Sequence, residues 1–156
     1  MTIEDDIAFL ERVPSFAILG RDALRILAIG AESRYVHGGE VLFTAGDPAD
    51  GGYVIQDGSF TLKTDNTDAS AAEMTVTSGT LLGELALLTE TIRPVTATAA
   101  EPSTVIRVTR SLFLKMLEGF PDAARRLRDY IATRTNQAAK DMTDVRATLD
   151  PQRPRR

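Results

Sequence analysis

The chain has 156 residues, with 43% hydrophobic and 26% charged residues, a formal net charge of −4, one histidine and no cysteine. This length and composition predict one soluble domain with a buried core, and the absence of cysteine excludes disulfides and cysteine-based catalytic or metal sites. The acidic balance disfavours nucleic acid as a partner, no apolar run approaches the ~20 residues that span a bilayer, and the acidic N-terminus is unlike a signal peptide, which together predict a cytoplasmic protein.

Two helices are predicted before the first strand. Hydrophobic residues recur at helical spacing near the N-terminus, at Ile3, Ile7 and Leu10. Pro14 is expected to end this helix, and residues 15–19 are predicted to form a short turn. A second amphipathic helix is expected at 21–29, with Gly30 as its C-terminal stop.

From residue 33 to about residue 107 the hydrophobic period changes to two, which is typical of strands. The alternating segments are 41–44, 53–55, 59–63, 73–77, 95–100 and 104–108. Between them, Gly46-Asp47-Pro48 predicts a turn, Asp57-Gly58 predicts a hairpin, and the polar segment 65–72 predicts a loop. About eight short strands separated by such turns indicate a jelly roll or a barrel.

The C-terminal part is predicted to be helical again. An apolar stripe runs through Leu112, Phe113, Met116 and Leu117. Gly119 is expected to end this helix, and Pro121 suits the first turn of a longer one that we expect to run to about residue 149. The last residues, 150–156, contain two prolines and three arginines and are predicted to form a disordered tail. The predicted domain is therefore 1–149.

The segment 82–96 combines several features of an anion-binding site. Gly83 allows the backbone to approach a ligand closely, and the first turn of a short helix after it would expose unpaired N–H groups. Arg93 offers a planar guanidinium that fits a phosphate, whereas Glu84 can only accept hydrogen bonds, for example from a ribose hydroxyl. The segment therefore indicates a phosphorylated sugar as ligand. A surface ion pair between Glu84 and Arg93 is the alternative interpretation.

The same segment resembles the phosphate-binding cassette of the cyclic nucleotide-binding domain family. The matching residues are Gly83, Glu84, Leu85, Ala86, Leu87, Arg93 and Thr96. The order of predicted elements (helices, strands, then two helices) is also that of the family, so the resemblance extends over about residues 3–145. It implies a mainly β fold, namely an eight-stranded jelly-roll β-barrel with N-terminal helices and two C-terminal helices.

The resemblance also implies a function. The chain would be a regulatory module that binds cAMP or cGMP, needs no other cofactor, and signals by closure of the cassette and movement of the C-terminal helix. The residues implied to bind the ligand are Gly83, Glu84, Leu85, Ala86, Arg93, Pro94, Val95 and Thr96. For Thr96, strand packing and hydrogen bonding through its hydroxyl are the alternative role.

Two departures from the family pattern favour a different function. Pro94 follows Arg93 where the family has a small residue whose N–H binds the phosphate, and proline has no N–H. Losing one hydrogen bond to a charged group costs about 1.5–3 kcal/mol, so Pro94 predicts weakened rather than abolished binding. Ala138 and Ala139 stand where relatives of the catabolite activator type offer hydroxyls to the base. The alternative function is a protein-interaction scaffold that binds nucleotide weakly or not at all.

An enzymatic function is not expected. His37 is the single histidine, which argues against a barrel enzyme that holds a metal with several histidines, and no Ser-His-Asp set can be assembled around it. No DNA-reading domain is expected after the last predicted helix. The expected partners are a cyclic nucleotide and an unidentified effector protein, without direct nucleic-acid or membrane contact. The C-terminal helix is the expected surface for a homodimer, although Arg134 and Asp141 disfavour a coiled-coil seam.

Overall fold

The computed structural model describes residues 2–64 and 73–134. The predicted loop at 65–72, the helix beyond residue 134 with Ala138 and Ala139, and the tail at 150–156 lie outside the described residues. Within the described ranges, no helix has both the length and the apolar character that crossing a membrane requires.

In the described chain, three helices precede the strands and two follow them. Their bounds are Ile3–Leu10 (α1), Pro14–Ala17 (α2), Arg21–Gly30 (α3), Arg110–Gly119 (α4) and 121–134 (α5). Thr2 begins α1 with a capping box shared with Asp5, and the Thr109 hydroxyl accepts from the Leu112 N–H at the start of α4. The prediction of a turn at 15–19 was wrong for residues 15–17, which are helical. Pro14 is the first residue of the four-residue helix α2, because its fixed φ suits that position.

The strands lie between α3 and α4. Their bounds are Glu32–Val36 (β1), Val41–Phe43 (β2), Pro48–Ala49 (β3), Gly51–Asp57 (β4), Ser59–Thr64 (β5), Glu73–Thr77 (β6), Leu81–Leu82 (β7), Thr91–Ile92 (β8), Val95–Ala99 (β9) and Ser103–Thr109 (β10). A single 3₁₀ turn in the described chain, Leu85–Leu87, separates β7 from β8.

The strands form two antiparallel four-stranded sheets and one two-stranded ribbon. The first sheet has the order β1-β10-β4-β7, the second has the order β2-β9-β5-β6, and the ribbon pairs β3 with β8. This arrangement confirms a mainly β jelly-roll fold with helices at both ends. The described strands number ten rather than about eight, because β3, β7 and β8, of two residues each, are too short to show alternation.

The turn at Asp57-Gly58 does not form the predicted hairpin. Gly58 has a φ of +93°, and a Cβ at this position would collide with Ser103. However, β4 belongs to the first sheet and β5 to the second, where β5 pairs with β6 and β9. The turn therefore carries the chain from one sheet to the other. Turn chemistry predicts a reversal of the chain, but it does not specify which strands pair.

Two hydrophobic clusters share the first sheet. The barrel core lies between the two sheets and includes Val36, Leu42, Tyr53, Ile55, Phe60, Leu82, Ala97, Ala99 and Val105. The helical core lies between the first sheet and the helices and includes Leu10, Phe16, Leu24, Val54, Leu87, Val108, Phe113, Met116 and Leu127. The segment 82–96, which we call the cassette, therefore contributes Leu82 to the barrel core and Leu87 to the helical core. It lies where the two cores meet.

Candidate functional site

Gly83 begins the cassette in a conformation that excludes other residues for two reasons. Its φ of +87° lies in the left-handed region, where a side chain is strained. A Cβ built on it would fall onto Nη1 of Arg93 and would lie 3.0 Å from the carbonyl oxygen of Gly51. The glycine thus allows the backbone at the start of the 3₁₀ turn to pack directly against the Arg93 guanidinium.

Arg93 lies between β8 and β9, and its backbone is fixed on both sides. Its N–H donates to the carbonyl of Asp47, and its carbonyl accepts from the N–H of Gly46, each at 2.8 Å. The residue as a whole is only 4% exposed. Its guanidinium carbon lies 4.4 Å from the ring centroid of Phe43 and 5.5 Å from that of Tyr53, within cation–π range. The arginine therefore projects inward over two aromatic rings instead of into solvent.

The guanidinium of Arg93 is left partly unsatisfied. Nη1 is buried and finds no hydrogen-bond partner among the described residues. Burial lowers the pKa of Arg93, and the carboxylates of Asp50 and Asp47 offset this effect only in part. Because a buried cation without a partner is costly, the site favours an added anion. This is the strongest indication of a ligand in the described chain.

A cavity of about 460 Å³ opens beside Arg93. The described residues that line it are Phe43, Ala49, Leu62, Leu81, Leu82, Gly83, Glu84, Leu85, Ala86, Thr91, Ile92, Arg93, Pro94 and Val95. Most of the lining is apolar, and two of the apolar residues, Leu85 and Ile92, are 62% and 61% exposed. The charged groups of this lining are Glu84 and Arg93. The cavity therefore combines one carboxylate and one buried cation with a largely apolar surface.

Glu84 does not pair with Arg93, so the surface ion pair considered above was wrong. Its Oε1 lies 2.5 Å from Nη1 of Arg134, near the described end of α5, and its Oε2 accepts a hydrogen bond from the hydroxyl of Ser15 at 3.2 Å. Sequence reasoning missed Ser15 and Arg134 as neighbours of the site. They are 69 and 50 residues from Glu84 in the chain, and no local pattern marks either of them.

Seven of the eight predicted site residues line the cavity, and Thr96 is the exception among them. Its Oγ1 accepts a hydrogen bond from the N–H of Ala45 at 2.9 Å, which matches the alternative role considered for it. Pro94 is exposed and lines the cavity, so the position without an N–H belongs to the cavity wall. Whether these residues bind a ligand stays a prediction.

Arg110 is a further residue that sequence reasoning missed. It begins α4, and its Nη1 lies within hydrogen-bond distance of three carbonyl oxygens: 3.0 Å from Ala49, 3.2 Å from Ala86 and 3.0 Å from Thr89. Ala86 and Thr89 belong to the cassette. A single guanidinium therefore connects the 3₁₀ turn of the cassette with the start of α4.

His37, the single histidine of the chain, is not among the described residues that line the cavity. It lies in the exposed turn after β1, with its ring edge-on to Tyr35 at a centroid distance of 4.7 Å. Among the described residues, no group of three or more histidine, cysteine or acidic side chains is placed to hold a metal ion.

The comparisons with known proteins point to one family. A family model described as "Cyclic nucleotide-binding domain" matches residues 33–120, more than half of the chain. A cyclic nucleotide-binding-like protein from Brucella abortus is 38% identical, with a TM-score of 0.65, over 73% of this chain and 98% of that chain. The N-terminal domain of a transcriptional regulator from Streptomyces coelicolor A3(2) is 27% identical, with a TM-score of 0.76, over 83% of this chain and 94% of that chain.

One curated relative is much longer. An uncharacterized NTE family protein of Mycobacterium tuberculosis is 30% identical over 112 residues, which are 72% of this chain and 19% of the relative. The chain thus spans about a fifth of the length of that relative. The family match and the similarity to the Brucella protein along nearly its whole length agree with the arrangement of Gly83, Glu84 and Arg93 in the cassette. The chain belongs to the cyclic nucleotide-binding domain family.

Proposed function

We propose that this chain is a regulatory module that binds a cyclic nucleotide, cAMP or cGMP, in the cavity beside the cassette. The observation that carries the proposal is the buried guanidinium of Arg93, whose Nη1 lacks a partner in the described chain. A cyclic phosphate carries one negative charge, which would neutralise this one buried cation. Family membership and the description of the Brucella relative as cyclic nucleotide-binding-like support the same ligand class.

Each part of the ligand has a matching part of the site in this proposal. Arg93 and the N–H group of Leu85 bind the phosphate, because guanidinium and backbone N–H groups suit its oxygens. The N–H of Ala86 donates to the carbonyl of Gly83 at 3.1 Å, and in this proposal it exchanges that bond for one to the phosphate. Glu84 accepts a hydrogen bond from the ribose 2′-hydroxyl. Apolar residues of the cavity, such as Leu62 and Val95, contact the base. The described lining offers few polar side chains to the edge of the base, so we leave the choice between cAMP and cGMP open.

The proposed signal is a shift between two arrangements of the cassette. A ligand shifts such an equilibrium only as far as it binds one arrangement better, and the buried cation supplies that preference. Two arginines of the C-terminal helices form hydrogen bonds with the cassette: Arg110 reaches the carbonyls of Ala86 and Thr89, and Arg134 reaches Glu84. Movement of the cassette would therefore alter the contacts of α4 and α5.

The output of the module would pass to another protein or domain. The similar segment of the Mycobacterium tuberculosis relative forms about a fifth of that chain, which fits a module serving a larger assembly. We propose an effector protein as the partner, a homodimer through the C-terminal helix, and a cytoplasmic location. A catalytic role is not part of the proposal, since the family is a regulatory one.

A second candidate function is a scaffold that keeps this fold but does not bind nucleotide. The observation that favours it is Pro94, which lines the cavity where an N–H donor would otherwise face the phosphate. In that case the cavity would remain without ligand, and the surface of the domain would carry the function.

Isothermal titration of the protein with cAMP and with cGMP separates the two functions. Binding of either nucleotide supports the module, and absence of binding of both at millimolar concentration favours the scaffold. Arg93→Ala should abolish binding, because it removes the positively charged group that binds the phosphate. Arg34→Ala is the matched control: Arg34 is an exposed arginine of β1 that pairs with Glu40 at 3.5 Å and does not line the cavity. Equal affinity of the Arg93→Ala protein and the parent would remove Arg93 from the site.

A further inference from the structure

The carboxylate of Glu84 is held by residues from both ends of the described chain. Ser15, in α2, donates its hydroxyl to Oε2 at 3.2 Å, and Ser15 is only 5% exposed. Arg134, in α5, approaches Oε1 to 2.5 Å, and its guanidinium carbon lies 5.4 Å from the ring centroid of Tyr130. Each carboxylate oxygen therefore has one protein donor, from a different helix.

Neither of the two donors is among the described residues that line the cavity. Glu84 is one of the lining residues, whereas neither Ser15 nor Arg134 is found in the described lining. An ionised carboxylate offers about four acceptor positions, and these two contacts occupy two of them. In the inference that follows, the remaining positions accept a hydroxyl of the ligand. The two donors thus occupy the carboxylate only in part.

From this arrangement we infer that Ser15 and Arg134 are positioning residues for recognition of the ligand's ribose hydroxyl. They act through Glu84 and do not touch the ligand. The inference rests on the proposed function, and it extends the binding site beyond the cassette to α2 and α5. Their contribution is to hold a glutamate side chain in one orientation, which lowers the entropy lost when it accepts the hydroxyl.

The expected effects are moderate because the Arg134 contact is partly exposed. The side chains of Arg134 and Glu84 are 53% and 35% exposed, and ion pairs of this kind contribute little. Arg134→Ala should weaken cAMP binding about two- to fivefold. Ser15→Ala removes a more buried hydrogen bond and should weaken binding about two- to tenfold.

Comparison with 2′-deoxy-cAMP, which lacks the hydroxyl, distinguishes positioning of Glu84 from a general structural effect. Parent, Ser15→Ala and Arg134→Ala proteins are each titrated with cAMP and with 2′-deoxy-cAMP. If the two residues act through Glu84, both variants lose affinity for cAMP but bind 2′-deoxy-cAMP as the parent does. Arg125→Ala is the matched control, since Arg125 is an exposed arginine of the same helix that pairs with Asp122 and does not contact Glu84. Its affinity for both ligands should equal that of the parent.

Any one of three results would overturn the inference. An equal loss of affinity for the two ligands would show that the variants disturb the site in general. Tighter cAMP binding by the Arg134→Ala protein would show that Arg134 competes with the hydroxyl for Glu84. If both variants bind cAMP as the parent does, neither residue positions Glu84. Failure of the parent to bind cAMP or cGMP is a separate outcome that overturns the proposed function and this inference together. Urea melts of the ligand-free proteins verify that each variant is folded before titration.

Discussion

Substitution of Pro94 by alanine should tighten cyclic nucleotide binding. Pro94 lines the cavity directly after Arg93, and alanine restores the backbone N–H that proline lacks. A hydrogen bond to a charged group contributes about 1.5–3 kcal/mol. Pro94 is exposed, so water competes for the phosphate there and the lower end of the range applies. About 1.4 kcal/mol corresponds to a tenfold lower Kd.

The same substitution should slightly destabilise the ligand-free protein. Removing proline increases the conformational freedom of the unfolded chain, which costs about 0.4–1 kcal/mol of folding stability. The two effects are separable, because isothermal titration with cAMP or cGMP reports affinity and urea melts without ligand report stability. Tighter binding together with lower stability is the expected combination.

Pro102→Ala provides the matched control. Pro102 is an exposed proline in the turn between β9 and β10 and does not line the cavity. Its replacement should lower stability in the same way and leave affinity unchanged. Unchanged affinity of the Pro94→Ala protein would refute the reasoning, because the missing N–H would then not limit binding. If neither the parent nor Pro94→Ala binds at millimolar nucleotide, the scaffold function takes first place.

Three further substitutions test the geometry of the site. Gly83→Ala should abolish nucleotide binding, because the added Cβ displaces Arg93, and should lower the folding stability by about 1–2 kcal/mol because of the left-handed φ. Gly79→Ala is the control, since Gly79 has a φ of +91° and a Cβ there would meet nothing within 4 Å. It should lose similar stability in urea melts but bind normally in titrations. Arg93→Met should abolish binding but raise the stability of the ligand-free protein by about 1 kcal/mol in urea melts, since it replaces a buried cation that lacks a full set of partners. A marked loss of stability would mean that the contacts of Arg93 with the Phe43 and Tyr53 rings outweigh the cost of burying its charge. Arg110→Ala should lower stability by about 1–3 kcal/mol and speed hydrogen exchange of the amides of the Leu85–Leu87 turn, because three carbonyls lose a donor; unchanged exchange would show that Arg110 does not hold the turn.

The sequence predicts which residues of the cassette lie close together, because these features are local. Gly83, Glu84 and Arg93 lie within eleven residues, and their chemistry at that spacing indicates an anion site before any fold is known. The structure brings Gly83 and Arg93 into contact and places Glu84 in the lining of the same cavity. The helix and strand segments are likewise set by hydrophobic periods that can be counted along the chain.

The absent hairpin at Asp57-Gly58 and the missed neighbours of Glu84 depend on which distant segments meet. Asp57-Gly58 indicates a chain reversal, but the partners of β4 and β5 are selected by the packing of two sheets. Ser15 and Arg134 are ordinary residues of amphipathic helices, and only the docking of α2 and α5 near the cassette brings them to Glu84. The sequence therefore predicts the groups that face the proposed ligand better than those that support them from behind.

The position of the cassette between two cores has a consequence for variation in this domain. Leu87 is 1% exposed within the helical core, which also contains Phe113 and Met116, while Leu82, five residues earlier, packs in the barrel core. Close-packed interiors have low compressibility and transmit displacements between neighbours. We therefore expect a change of side-chain volume at Met116, in the same core as Leu87, to alter the shape of the cavity, although Met116 is not part of the described lining. Natural sequence drift in the helices of this domain can thus adjust the shape of the cavity while every residue that lines it stays the same.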